Sequence, residues 1–118
     1  GETVRRVAEK LGVTILLKAP VDVISDGKKV KFNWTGNPAM TSGGTGDVLA
    51  GIVGGLIALG NPVFEAAAAG AFINGAAGDL VYRRKGNHLT ATDLLNEIPN
   101  LMENPMLHVE TSASPRLP

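Results

Sequence analysis

Gly43-Gly44-Thr45-Gly46-Asp47 runs without a break into Val48-Leu49-Ala50-Gly51 and a long apolar stretch. No other feature narrows the fold of this chain as much. Glycine tolerates backbone conformations closed to other residues and leaves main-chain N–H groups uncovered. A helix that opens there adds unpaired N–H donors and the positive end of its dipole. Asp47 then sets a carboxylate beside the anion site. Phosphate-holding backbone next to a carboxylate that can take a proton is what phosphoryl transfer needs. The block is not a Walker loop, because no Gly-Lys-Ser/Thr follows, and it lacks the spacing of the dinucleotide fingerprint. The bland alternative is a flexible turn before a helix. In that reading Asp47 is a first-turn acid gaining about 0.3–1 kcal/mol from the dipole.

The flanking pattern predicts a layered α/β fold. Thr3 is a candidate N-cap, and Val4, Val7, Ala8 and Leu11 recur on one helical face before Gly12. Val13 to Leu17 is a short β-rich apolar run, read as a buried strand. Val21 to Ser25 and Val30 to Asn33 are two further strands, joined at Asp26-Gly27 as a hairpin. Trp34 to Gly46 is rich in turn formers and reads as a loop. One helix is expected from Asp47 to Gly60-Asn61-Pro62. A second runs from about Val63 to Arg83, and its Gly70, Gly75 and Gly78 predict close packing against its neighbour. Thr90-Ala91-Thr92-Asp93 has capping-box spacing, opening a last helix that Pro99 stops or bends. Residues 1–103 are read as domain and 104–118 as tail, with Ser112 to Pro118 frayed. The start at Gly1 and the scarcity of strands predict a piece of a larger domain.

Composition removes several function classes. The 118 residues carry 11 basic and 11 acidic side chains, a balance that gives no support for nucleic-acid binding. There is no cysteine, so disulfides and thiolate metal sites are excluded. This fits a cytoplasmic protein. Val48 to Phe64 carries no charge, but Asn61-Pro62 interrupts it short of the ~20 apolar residues of a spanning helix. A buried helix is therefore expected, with no membrane partner.

Lys18 directly follows the first strand, at the strand edge where α/β proteins bind ligands. It is either a solvated strand-end lysine or a point charge for phosphate. Asp79 and Asp93 read as a helix-end and a capping residue. Asn74 either bonds a ligand or satisfies a helix contact, and Thr45 either caps the helix or touches phosphate. His88 and His108 show no metal-ligand pattern and receive no role.

Five segments together resemble one family. They are Ile15-Leu16-Leu17-Lys18, Thr35-Gly36-Asn37-Pro38-Ala39-Met40, Gly43 to Gly51, Asn74-Gly75-Ala76-Ala77-Gly78-Asp79 and Leu89-Thr90-Ala91-Thr92-Asp93-Leu94. This set is similar to the ADP/ATP-dependent NAD(P)H-hydrate dehydratases of the ribokinase-like superfamily. The resemblance implies a three-layer α/β/α domain, of which this chain is the C-terminal portion. It implies repair of hydrated NADH or NADPH by phosphorylation of the ring hydroxyl and loss of phosphate. Asp47 would be the catalytic base. Lys18, Ala19, Pro20, Val21 and Asp22 would line the nucleotide, ADP or ATP, and Gly43, Gly44, Thr45 and Gly46 would hold the transferring phosphate. Mg²⁺ is expected on general phosphoryl-transfer grounds, with no protein metal ligands assigned. The chain departs from the family at Ala19 and Ala39, where glycine is usual, and at Asn74, where histidine is common. Two other functions stay open: a small-molecule kinase for a sugar or vitamin-precursor alcohol, and a non-catalytic nucleotide-binding fragment. Self-association, or pairing with the missing N-terminal half, is a further expectation.

Overall fold

The computed structural model describes residues 1–108. Helix α1 (Glu2–Leu11) starts one residue before Thr3, with Gly1 at its cap and Arg5 bridging Glu2 and Glu9 along its exposed face. It ends at Gly12, whose φ of 66° suits a residue without a side chain. Three strands follow, β1 (Ile15–Leu17), β2 (Asp22–Ser25) and β3 (Val30–Asn33), paired antiparallel in the order β1-β2-β3. Ile24 sits opposite Leu16 and Lys31 and Ser25 opposite Val30, so the predicted hairpin forms, with residues 26–29 as its loop. The Asp26 carboxylate closes that turn by accepting from the Lys28 and Lys29 N–H groups at 2.9 and 2.8 Å.

One expectation fails in this sheet. Strand β1 is not buried: it lies at an edge with Leu17 48% exposed. The buried strand is β2, paired on both sides, whose Ile24 is fully enclosed.

Helices α2 (Thr45–Ala58) and α3 (Val63–Lys85) form the main helical contact. Ile24 from the sheet, Leu49 from α2 and Ala67 and Ala71 from α3 make one apolar cluster. A second cluster joins Met40, Ile73, Ala77, Leu80 and Val81 to two short helices, α4 (Ala91–Leu95) and α5 (Ile98–Glu103). The expected single last helix is therefore two, broken at Asn96-Glu97. Pro99 lies in the first turn of α5, where its missing N–H has no partner to lose.

The glycines of α3 divide by neighbour. At Gly70 an added Cβ would strike Val53 of α2, the predicted helix contact. At Gly75 and Gly78 it would strike Thr35 and Met40 instead, so these two glycines admit the loop after β3. Among the described residues, no helix is long and apolar enough to cross a membrane. Leu107 packs on the second cluster, and the expected frayed segment 112–118 lies outside the described residues.

Candidate functional site

Strand β1 ends at Leu17 and presents Lys18 to the start of α2. The Lys18 ammonium donates to the Thr45 hydroxyl at 3.1 Å. That hydroxyl is buried and has one proton, which goes to the Met40 carbonyl at 2.7 Å. Thr45 thus fixes Lys18 and closes the loop that precedes it in one geometry. The helix opens at Thr45, two residues earlier than the sequence suggested. Gly44 caps it with φ 97°, a conformation that favours glycine. Its first internal bond runs from the Val48 N–H to the Gly44 carbonyl at 3.1 Å. The N–H groups of Thr45, Gly46 and Asp47 are therefore left without helical acceptors. A Cβ at Gly46 would lie 4.0 Å from the Lys18 ammonium nitrogen. One cation and a set of orphan donors converge on this mouth, which is the physical requirement for an oxyanion.

The mouth opens into a cavity of about 670 Å³. Of the residues expected to face a nucleotide, Lys18, Ala19, Pro20, Asp22, Gly44, Thr45 and Gly46 line it. Val21 and Gly43 do not. Val21 lies in the bend that precedes β2. Gly43 is exposed and faces open space. Asp47 is exposed in the first turn of α2, just outside the lining residues, so the mouth is neither plugged nor its carboxylate turned inward. A larger depression of about 900 Å³ beside Phe32, Trp34, Phe64 and Phe72 is mostly apolar. It lacks the convergent donors of the α2 mouth.

Thr35, Gly36 and Asn37 also line the cavity and are held by a paired network behind them. The Asp79 carboxylate accepts from the Gly36 N–H at 3.1 Å and from the Asn37 side-chain amide at 2.8 Å. The His108 Nε2 lies 2.8 Å from the same carboxylate, and the ring stands edge-on to Phe72. Asn37 in turn accepts from the Ala39 N–H at 3.1 Å. Thr35 donates to the Phe72 carbonyl at 3.1 Å, and Asn33 bridges Asp22 and the Ala71 carbonyl. Asp79 is thus mid-helix, not the helix-end residue expected. It holds the Thr35–Met40 loop on α3.

The start of α4 supports the mouth from outside. A Cβ at Gly44 would stand 2.9 Å from the Ala91 side chain. Thr90 and Asp93 form the predicted capping box. Lys85, 2.9 Å from Asp93, and the Thr90 N–H, also at 2.9 Å, hold that carboxyl at about 2, below its ordinary 3.8.

Asn74 is the exception on the paired wall. It lines the cavity, is 3% exposed, and its side-chain oxygen has no hydrogen-bond donor. Thr35, Gly36, Asn37, Pro38, Met40, Thr41, Ser42 and Gly75 also line the cavity without having been assigned a site role. The quoted motifs Thr35 to Met40 and Asn74 to Asp79 were their available signal. Among the described residues there is no cluster of three or more His, Cys, Asp or Glu that could cage a metal ion.

With this geometry in hand, known proteins are informative. The family model described as NAD(P)H-hydrate dehydratase matches residues 1–100. The bifunctional NAD(P)H-hydrate repair enzyme Nnr of Methanopyrus kandleri is 54% identical over 105 residues, 88% of this chain and 21% of that protein. The ADP-dependent (S)-NAD(P)H-hydrate dehydratase of Cenarchaeum symbiosum is 51% identical over 100 residues, 85% of this chain and 35% of that protein. The ADP/ATP-dependent NAD(P)H-hydrate dehydratase from Bacillus subtilis, co-crystallized with ATP/Mg²⁺, superposes with a TM-score of 0.77 at 28% identity. The match covers 86% of this chain and 38% of that one. The chain spans about a fifth to a third of the length of the curated relatives it matches.

Proposed function

The chain belongs to the NAD(P)H-hydrate dehydratase family, and on that premise we propose that it carries the phosphoryl-transfer half of a nicotinamide-repair lyase. The whole protein would use ADP or ATP to dehydrate NADH or NADPH that has gained water on its ring. Its cavity and α2 mouth would belong to a larger ribokinase-like three-layer domain in the cytoplasm. One observation carries this reading: Thr45 seats the Lys18 ammonium over the open mouth of α2, with Asp47 exposed beside it.

The roles follow from the chemistry. The terminal phosphoryl sits on the Thr45, Gly46 and Asp47 N–H groups with Lys18 across it. Asp47 takes the proton of the ring hydroxyl as that oxygen bonds to phosphorus. The bond from phosphorus to the bridging oxygen breaks, leaving AMP from ADP or ADP from ATP. The ring C–O bond then breaks, phosphate keeps the electron pair, and loss of a ring proton restores the double bond. Hydroxide leaves poorly and phosphate leaves well, which is the reason to consume a nucleotide. A Mg²⁺ ion neutralises phosphate charge when bound. It would be held by the nucleotide's own oxygens and water, since among the described residues there is no cluster of three or more His, Cys, Asp or Glu to cage it.

The test gives the whole protein the hydrate and ADP or ATP. The expected result is one equivalent each of AMP or ADP, free phosphate and reduced nicotinamide cofactor. A stable phosphorylated alcohol that accumulates would make the protein a small-molecule kinase. Nucleotide binding without turnover would make it a binding module.

A further inference from the structure

We propose that His108 is a positioning residue for the phosphate site: through Asp79 and the loop of residues 35–40 it fixes where Lys18 stands. The inference rests on the nucleotide site proposed above. His108 lies beyond the residues 1–100 that the family model matches, yet it reaches back to Asp79 inside them. The turn after α5 delivers it. The Asn104 side chain accepts from the Met106 N–H at 3.2 Å, and the Asn104 carbonyl accepts from the Leu107 N–H at 3.0 Å. His108 then lands on one stripe of α3, where Phe72, Asp79 and Arg83 recur at i, i+7 and i+11. Phe72 meets the ring edge-on, Asp79 lies 2.8 Å from its Nε2, and Arg83 donates to the His108 carbonyl at 3.4 Å. The side chain is left 18% exposed.

From Asp79 a run of hydrogen bonds leads to the mouth of α2. The carboxylate accepts from the Gly36 N–H and the Asn37 amide, one on each oxygen. Both oxygens are acceptors, so the ring supplies the proton of the third contact at Nε2. Asn37 accepts in turn from the Ala39 N–H through its side chain and from the Met40 N–H through its carbonyl, at 3.1 and 3.0 Å. The Met40 carbonyl accepts from the Thr45 hydroxyl at 2.7 Å, and that hydroxyl receives the Lys18 ammonium at 3.1 Å. Gly78 removes the slack between helix and loop, because a Cβ there would strike Met40. His108 thus stands at one end of the run and Lys18 at the other. Without the ring's donor, Asp79 is held by the same loop that it is meant to hold. A shift of the Met40 carbonyl then moves the Thr45 hydroxyl, and with it the seat of Lys18. Removing one member of such a network costs more than its own contact.

The experiment measures ADP binding to the whole protein by calorimetry, in a double-mutant cycle between His108 and Lys18. His108→Phe keeps a ring against Phe72 and removes the donor. It is expected to weaken ADP binding about 3–10-fold, the net worth of one hydrogen bond. His108→Gln, whose amide can donate to Asp79, is expected to stay within about twofold of the wild type. In the Lys18→Met protein, His108→Phe is expected to change binding by less than about twofold, since the side chain it positions is gone. A full-sized loss in the Lys18→Met background overturns the assignment, because His108 would then act on the cavity by another route. Equal losses in His108→Phe and His108→Gln overturn it as well. So does unchanged ADP binding in His108→Phe, which would make His108 a residue of the fold alone, whatever its melting temperature. Each of these results leaves the nucleotide site standing. A wild-type protein that binds no ADP overturns both.

Discussion

Two walls of one cavity are built on opposite principles. On the α3 side, Asn33, Thr35, Asn37 and Asp79 are paired with one another, with backbone or with His108. On the α2 side, the Thr45, Gly46 and Asp47 N–H groups have no helical acceptors, Lys18 has one partner, and Asp47 is exposed. The difference separates two carboxylates, Asp79 and Asp47. Asp79 has its acceptor capacity taken up by the fold. Asp47 is exposed in the first turn of α2. A paired wall keeps its shape without ligand, and the unpaired mouth is where a ligand completes the hydrogen bonding.

The comparison breaks if the two walls respond alike to substitution. The largest effect is expected at Asp47→Asn in the whole protein. Turnover should fall by about 10²–10⁴-fold while the melting temperature stays put, because the proposed general base is lost and no folded contact is. Next is Lys18→Met, which removes a charge-assisted bond worth about 1.5–3 kcal/mol. Titration calorimetry should show ADP binding weakened about 10–100-fold, again with little change in melting. Asp79→Ala should behave in the opposite way. It strands the Gly36 N–H and the Asn37 amide, at a cost of about 1–3 kcal/mol to stability by denaturant unfolding. If Asp79→Ala left stability unchanged, or if Asp47→Asn lowered it by as much, the division between the walls would be wrong.

The smallest effect sharpens the account of the outer support. Lys85 and the Thr90 N–H hold the Asp93 carboxyl at about 2 in the folded chain, against an ordinary 3.8. The unfolded chain therefore binds the proton first as pH falls. The support is complete above about pH 4 and is lost as pH falls towards 2. Circular dichroism melts across this window should show a drop in melting temperature that Asp93→Asn reduces. An identical acid profile in the variant would remove Asp93 from that role.

Much of this was legible locally. The Asp26-Gly27 turn predicts the hairpin. The capping-box spacing predicts the start of α4, and the glycine-threonine-aspartate block predicts the mouth of α2. Each is a signal carried within a few residues. What the sequence hid depends on distance. Asp79 and Gly36 are 43 positions apart, so nothing near Asp79 marks it as the anchor of a loop. Gly75 and Gly78 announce close packing but not against what, and their partners are Thr35 and Met40, not α2. The exposure of β1 was hidden because an apolar run reads as buried whether or not the neighbour that covers it is present. Pro99 was read as a stop, yet the same missing N–H serves equally well in a first turn.

The transferred phosphoryl is expected to land on the mouth of α2. A crystal structure of the whole protein with ADP tests this most directly. The terminal phosphate should lie about 2.7–3.2 Å from the Gly46 and Asp47 N–H groups and from the Lys18 ammonium, with Asp47 facing the open side of the phosphorus. A terminal phosphate bound elsewhere, with the α2 mouth filled only by water, would contradict it.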